Sequence, residues 1–175
     1  MANINLKALI GRLNKTCKQA LEDSAGLCVN RRNYEVTVEH FVQALVDDPQ
    51  SDFRPVLHYF EKDLGRFQKA LAEVLDRLLT GNTGRPVFSP LLTKLLEHAW
   101  ILSSVNLGLG EIRSGTILLA LLETPGGFGM GRWLDILETI PVHQLQVQLL
   151  DIIASSAESK RADLTTQATN TSADS

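Results

Sequence analysis

Residues 38–49 read VEHFVQALVDDP, and residues 114–125, seventy-six positions further on, read SGTILLALLETP. The identical pairs are Ala44/Ala120, Leu45/Leu121 and Pro49/Pro125, and the apolar and acidic positions also line up. In the first stretch Val38, Phe41, Val42, Leu45 and Val46 follow the i, i+3, i+4, i+7 spacing of one apolar helix face. Thr37 stands where an N-cap belongs, and Glu39 falls in the first turn, where the helix dipole favours an acid. In the second stretch Ser114 is the expected cap, and Ile117, Leu118 and Leu121 repeat the buried face.

The echo extends beyond these two helices. Ala20-Leu21-Glu22 stands 75 positions before Leu95-Leu96-Glu97, and Phe67 and Leu71 stand 78 before Leu145 and Leu149. An offset that drifts by a residue or two across four helices is what a duplication with small loop changes leaves. Identity is low, and unrelated amphipathic helices share part of such a pattern; the matching loop order favours duplication.

Helical periodicity dominates the rest of the chain, and no stretch alternates as a strand. In INLKALIGRLN, Leu6, Leu9, Ile10 and Leu13 make one apolar face. Asn14 offers an N-cap for a helix with a narrow stripe of Cys17, Ala20, Leu21, Ser24, Ala25 and Cys28. FRPVLHYF and DLGRFQKALAEVLDRLL follow, the latter burying Leu64, Phe67, Leu71, Val74, Leu75 and Leu78. TGNTGRP, residues 80–86, is the best internal linker. Ser89-Pro90 then combines a cap with proline at the first helical position. In the helix that follows, Leu92, Leu95, Leu96 and Ala99 are the core stripe.

The fold class this predicts is all-α: a pseudo-two-fold duplicated helical bundle with an extra N-terminal amphipathic helix. The domain spans 1–156, with the leading helix at 3–13, repeat one at 14–79, a linker at 80–87 and repeat two at 88–156. From Ala154 the composition turns small and polar, which predicts a flexible linker over 157–175. The chain thus reads as the front part of something longer.

Composition narrows the function. The 175 residues are 44% hydrophobic, 21% charged and 6% aromatic, with net charge −3, which suits one buried core. A pI near 5.8 offers no basic field for a phosphate backbone. No apolar run approaches the roughly 20 residues that span a bilayer, and the N-terminus lacks the order of a secretion signal, so the protein is expected in the cytoplasm. If Cys17 and Cys28 share a helix, about 16 Å separates them, too far for a disulfide.

No motif carries chemistry. The histidines at 40, 58, 98 and 143 fall in different elements without metal-site spacing, and His40 and His98 lie near apolar faces, as structural histidines do. Glu22 and Glu97 read as helix-surface acids rather than paired catalytic carboxylates. Ser103-Ser104 and Ser155-Ser156 lack a nucleophile elbow. GGFGMG fails as a phosphate cradle, because Arg132 stands where G-x-G-x-x-G needs glycine; it reads as a surface loop. No catalytic residue, cofactor or metal ligand is therefore assigned.

What remains is surface for a partner. The leading helix stands outside the duplication, and Phe88 and Leu91 fall at one edge of the Ser89 helix. These two either staple the cap or form one wall of an apolar groove.

The two-repeat layout, with Ala20-Leu21-Glu22 and VEHFVQAL, resembles the Clp N-terminal domain that precedes the ATPase modules of AAA+ unfoldases. The leading helix ending in Arg12-Leu13-Asn14, together with GRPVFSPLLTKLLEHAW and Glu111-Ile112-Arg113-Ser114-Gly115, is similar to the ClpV branch of type VI secretion. That resemblance implies a recognition domain that takes an amphipathic N-terminal helix of the larger sheath subunit (TssC/VipB-like) into a hydrophobic groove. It implies Leu6, Leu9, Ile10, Leu13, Pro86, Phe88, Leu91 and Leu92 as the groove residues. It also implies a hexameric parent that disassembles contracted sheath, with ATP and Mg serving only ATPase modules absent from this chain. The isolated domain would be a monomer, with neither nucleic acid nor membrane as partner. The alternatives are a general adaptor- or client-binding N-domain, an all-helical enzyme, and a helix-turn-helix regulator. The missing polar cluster argues against the enzyme, and the acidic balance against the regulator.

Overall fold

Several helix starts in this chain are set by side chains that bond orphan amides of the first turn. In the computed structural model, which describes residues 5–124 and 126–160, Asn14 Oδ1 accepts the Cys17 N–H at 2.9 Å. Ser89 Oγ accepts the Leu91 N–H at 3.2 Å, and Thr37 forms a capping box with His40. Behind these caps lie α1 (Leu6–Arg12), α2 (Lys15–Asn30), β1 (Glu35–Val36), α3 (Val38–Asp47), α4 (Phe53–Tyr59) and α5 (Leu64–Asp76). Then follow β2 (Val87–Phe88), α6 (Pro90–Ile101), α7 (Ser114–Glu123), α8 (Arg132–Glu138) and α9 (Val142–Ile153). Past Ile101 the chain widens into a π-turn, Leu102–Asn106.

α3 and α7 occupy the centre. Phe41, Val42, Leu45 and Val46 are wholly buried, as are their counterparts Ile117, Leu118, Leu121 and Leu122 to within 2%. Each such side chain stabilises the fold by roughly 1.5–3 kcal/mol over its exposed state. α2 packs on α3 and α6 on α7, while α5 packs on α8 and α4 on α9, so the halves exchange contacts reciprocally.

The backbone repeats that reciprocity. β1 and β2 pair in parallel, Val36 opposite Phe88, and Ser89 N–H donates to Val36 O at 3.0 Å. Leu13 pairs in parallel with Ile112, and Asn14 N–H donates to Ile112 O at 2.9 Å. At the offset of 75–76 read from the sequence, Leu13 is the mate of Phe88 and Val36 the mate of Ile112, so each bridge is the other with the halves exchanged. Two-residue strands carry no alternation to read, which is why the sequence shows none.

Three expectations are revised. The leading helix forms over Leu6–Arg12, and residues 3 and 4 of the expected 3–13 span lie outside the described residues. α7 is capped by Arg113, whose N–H is accepted by Thr116 Oγ1 at 3.2 Å; Ser114 is already the first helical residue and turns its hydroxyl to Glu158. The flexible linker expected from 157 does not begin there. Residues 157–160 form a helical turn, and Glu158 is 1% exposed, because donors from three distant segments converge on its carboxylate. Residues 161–175 lie outside the described residues.

Candidate functional site

The leading helix is short. α1 has seven residues, far below the length at which an isolated helix holds in water, so its order comes from what it touches. Leu9 and Leu13 are each 1% exposed and seat it on the core. It packs along α6, and the Arg12 guanidinium lies 4.8 Å from the centre of the Trp100 ring, a cation–π contact. Leu6 and Ile10 are half-buried, with surface left over.

A second set of apolar side chains lies on β2 and the first turn of α6. Phe88 points inward and is half-buried against the core, whereas Val87 and Leu91 are 62% and 42% exposed. Pro86 is partly exposed. The eight residues expected in the groove therefore divide. Leu9, Leu13 and Leu92 are core residues with no surface to offer a partner, a correction that follows from α1 lying down on the domain. Leu6, Ile10, Pro86, Phe88 and Leu91 keep accessible area. Val87 was missed because residues 80–87 read as linker, and a strand of two residues leaves no alternation in the sequence that could have found it. Open hollows of about 380–500 Å³ among the described residues are lined by other side chains, one between α4 and α9 by Pro55, His58, Tyr59, Gln148, Asp151 and Ile152.

Groups that might suggest chemistry are occupied in holding the fold. His40 is fully buried; its Nδ1 accepts the Thr37 N–H and its Nε2–H donates to Asn33 Oδ1, both at 3.0 Å. Burial, helped by the Arg31 charge, lowers its pKa to about 4, so it is neutral at physiological pH. His98 Nε2 meets Glu123 Oε2 at 2.8 Å. Ser103 Oγ donates to Thr116 Oγ1 and Ser104 Oγ to Trp100 O. Glu22 is exposed and Glu97 partly so. Cys17 and Cys28 are free, buried and both on α2.

The glycine-rich loop is claimed by its own neighbours. Met130 N–H donates to Glu39 Oε1 at 3.1 Å, and Trp133 Nε1–H to Met130 O at 2.8 Å. Glu39 is buried, and burial pushes its carboxyl above the usual carboxylate range. Phe128 tucks inward, so the loop is not wholly on the surface. Among the described residues no group of three or more His, Cys, Asp and Glu could hold a metal, and no helix is long and apolar enough to cross a membrane.

Known proteins share this arrangement. Residues 12–132 match the Clp repeat (R) N-terminal domain. The chain is 30% identical over 125 residues to the AAA+ ATPase ClpV1 of Pseudomonas aeruginosa, covering 71% of the chain and 14% of that protein. It is 33% identical over 119 residues to the chaperone protein ClpB of Yersinia enterocolitica, covering 68% of the chain and 13% of that protein. The chain therefore spans about one seventh of the length of these curated relatives. A solved complex of a ClpV N-domain with a VipB peptide superposes with a TM-score of 0.81 at 35% identity, covering 90% of the chain and 97% of that domain. With two interlocked helical repeats over the matched residues, the chain belongs to the Clp repeat N-terminal domain family.

Proposed function

We propose that this chain is the recognition domain of a ClpV-type unfoldase and binds an amphipathic helix of the larger type VI sheath subunit. The observation that carries the reading is the match, over nine tenths of this chain, to a ClpV N-domain that holds a VipB peptide. That reading sets the peptide against apolar residues that keep accessible surface, Leu6 and Ile10 on α1 with Val87, Phe88 and Leu91 on β2 and α6. A helix laid into such a face engages through i, i+3, i+4, i+7 anchors. Micromolar affinity, about −8 kcal/mol, suits a site offered many copies of one polymer subunit and required to release each. In this reading the chain recognises and does not catalyse, and ATP with Mg²⁺ serves modules elsewhere in a hexameric parent.

Titration of VipB peptide into the wild-type chain, Leu91→Glu and Val87→Glu tests this. Wild type binds in the micromolar range, and each variant loses about tenfold or more, the cost of setting a charge against an apolar anchor. Melting stays unchanged, since both side chains are exposed and an acid in the first turn of α6 suits the dipole. Wild-type affinity in both variants places the site elsewhere. The likeness to ClpB favours a second reading, capture of unfolded clients; a permanently disordered protein bound as tightly as the VipB peptide would establish it.

A further inference from the structure

Three segments remote in sequence meet at the carboxylate of Glu158. Its Oε1 accepts from Asn14 Nδ2 at 2.7 Å and from the Ser114 N–H at 2.8 Å. Its Oε2 accepts the Asp52 N–H at 2.7 Å and the Ser114 hydroxyl. Beside it Arg113 grips Asp52 through Nε at 2.6 Å and Nη2 at 2.9 Å, and Nη2 also donates to Ser159 Oγ at 2.6 Å. Ser156 Oγ donates to Asp52 Oδ1 at 2.8 Å. Gly115 completes the site by close approach: a Cβ there would stand 3.0 Å from Asp52 Oδ2 and 3.2 Å from Leu149.

Beyond Ile153, the last core residue of α9, this turn has no apolar anchor; Ala154, Ser155 and Ala157 are exposed. It is held by polar bonds alone. The guanidinium binds Asp52 and not Glu158, and burial, then the nearby Asp52, pushes the Glu158 carboxyl up. Such an arrangement docks as a unit or releases as a unit, because losing one partner strands the others.

Asn14 belongs to both regions. Its Oδ1 caps α2, its N–H continues the Leu13–Ile112 ladder, and its Nδ2 holds Glu158. Leu13 is the residue that closes α1. We propose that the Ser156–Lys160 turn is a latch coupled to α1, so that docking of the turn and occupancy of the α1–β2 face strengthen each other through Leu13 and Asn14. This rests on the reading of that face as the sheath-peptide site. Both events stabilise one ordered arrangement of a helix too short to order itself, and linkage makes the effect reciprocal.

Amide hydrogen exchange on the 175-residue chain tests the coupling. Saturating VipB peptide slows exchange of the Ser159 and Lys160 amides, which bond to Ser156 Oγ and Ser156 O. Glu158→Gln turns an amide NH₂ toward one donor pair, speeds exchange at Leu9 and Leu13, and weakens the peptide about fivefold or more. Ser159→Ala removes the bonds its hydroxyl makes with Arg113, Ser156 and Ile153, leaves the Glu158 carboxylate in place, and gives the same changes more weakly, should Glu158→Gln fail to fold. Peptide that binds without altering Ser159 and Lys160 overturns the latch and leaves the proposed function standing. If the peptide does not bind, the proposed function fails. The coupling is then decided by the variants alone, where unchanged exchange at Leu9 and Leu13 overturns it.

Discussion

Acidification from pH 7 to pH 5 should cost this domain stability through a single buried ring. His40 has an ordinary pKa of 6.5 when the chain is unfolded and about 4 when folded. Between those values the unfolded state binds the proton and the folded state does not, so stability is full above 6.5 and falls as pH drops towards 4. A shift of this size corresponds to roughly 3 kcal/mol, of which about 2 kcal/mol is lost by pH 5. Glu39 and Glu158 act in the opposite sense. Their folded pKa values are raised, so their contribution is present below 4.5 and lost as pH rises through the folded value. Comparison with His40→Gln removes them, since both proteins carry the same carboxylates. Urea unfolding at pH 7, 6 and 5, followed by far-UV circular dichroism, should show the wild-type advantage over His40→Gln shrinking by about 2 kcal/mol. Parallel pH profiles for the two proteins would refute the argument.

Two further substitutions probe the buried interior. Arg113→Met strips the buried Asp52 carboxylate of its guanidinium and should cost about 3–5 kcal/mol by urea unfolding at pH 7; a loss under about 1 kcal/mol would reject this. Gly131→Ala places a Cβ against Val74 at a backbone φ of +115° and should cost about 3 kcal/mol or more by urea unfolding, a loss under about 1 kcal/mol contradicting it.

The fold was legible wherever its cause is local. Asn14, Thr37 and Ser89 cap helices because each serves an amide two or three residues on, and Leu92, Leu95, Leu96 and Ala99 are buried on the stripe their spacing draws. Non-local causes were not legible. Glu39 sits in a first turn, where the dipole explains an acid, yet its carboxylate is spent on the Met130 amide 91 residues away. Glu158 stands in a polar run that composition alone reads as linker, and its burial comes from Asn14, Asp52 and Ser114. At the candidate site, periodicity marks Leu6, Leu9, Ile10 and Leu13 as one apolar face. Which of them remain available depends on how α1 lies on α6, and no spacing rule carries that.

The two exchanged bridges bear on how the domain comes apart. A lone repeat holds both a segment ending in a capping residue and a strand, but the structure pairs each of these only with the other repeat. One repeat by itself would leave both unpaired, and would meet its needs only as a symmetric pair of copies. Joining two copies in one chain turns that encounter into an intramolecular step of high effective concentration. The bridges also tie each half to the other, so melting of one repeat strips the other of its backbone partners, and unfolding is expected as one cooperative transition rather than repeat by repeat.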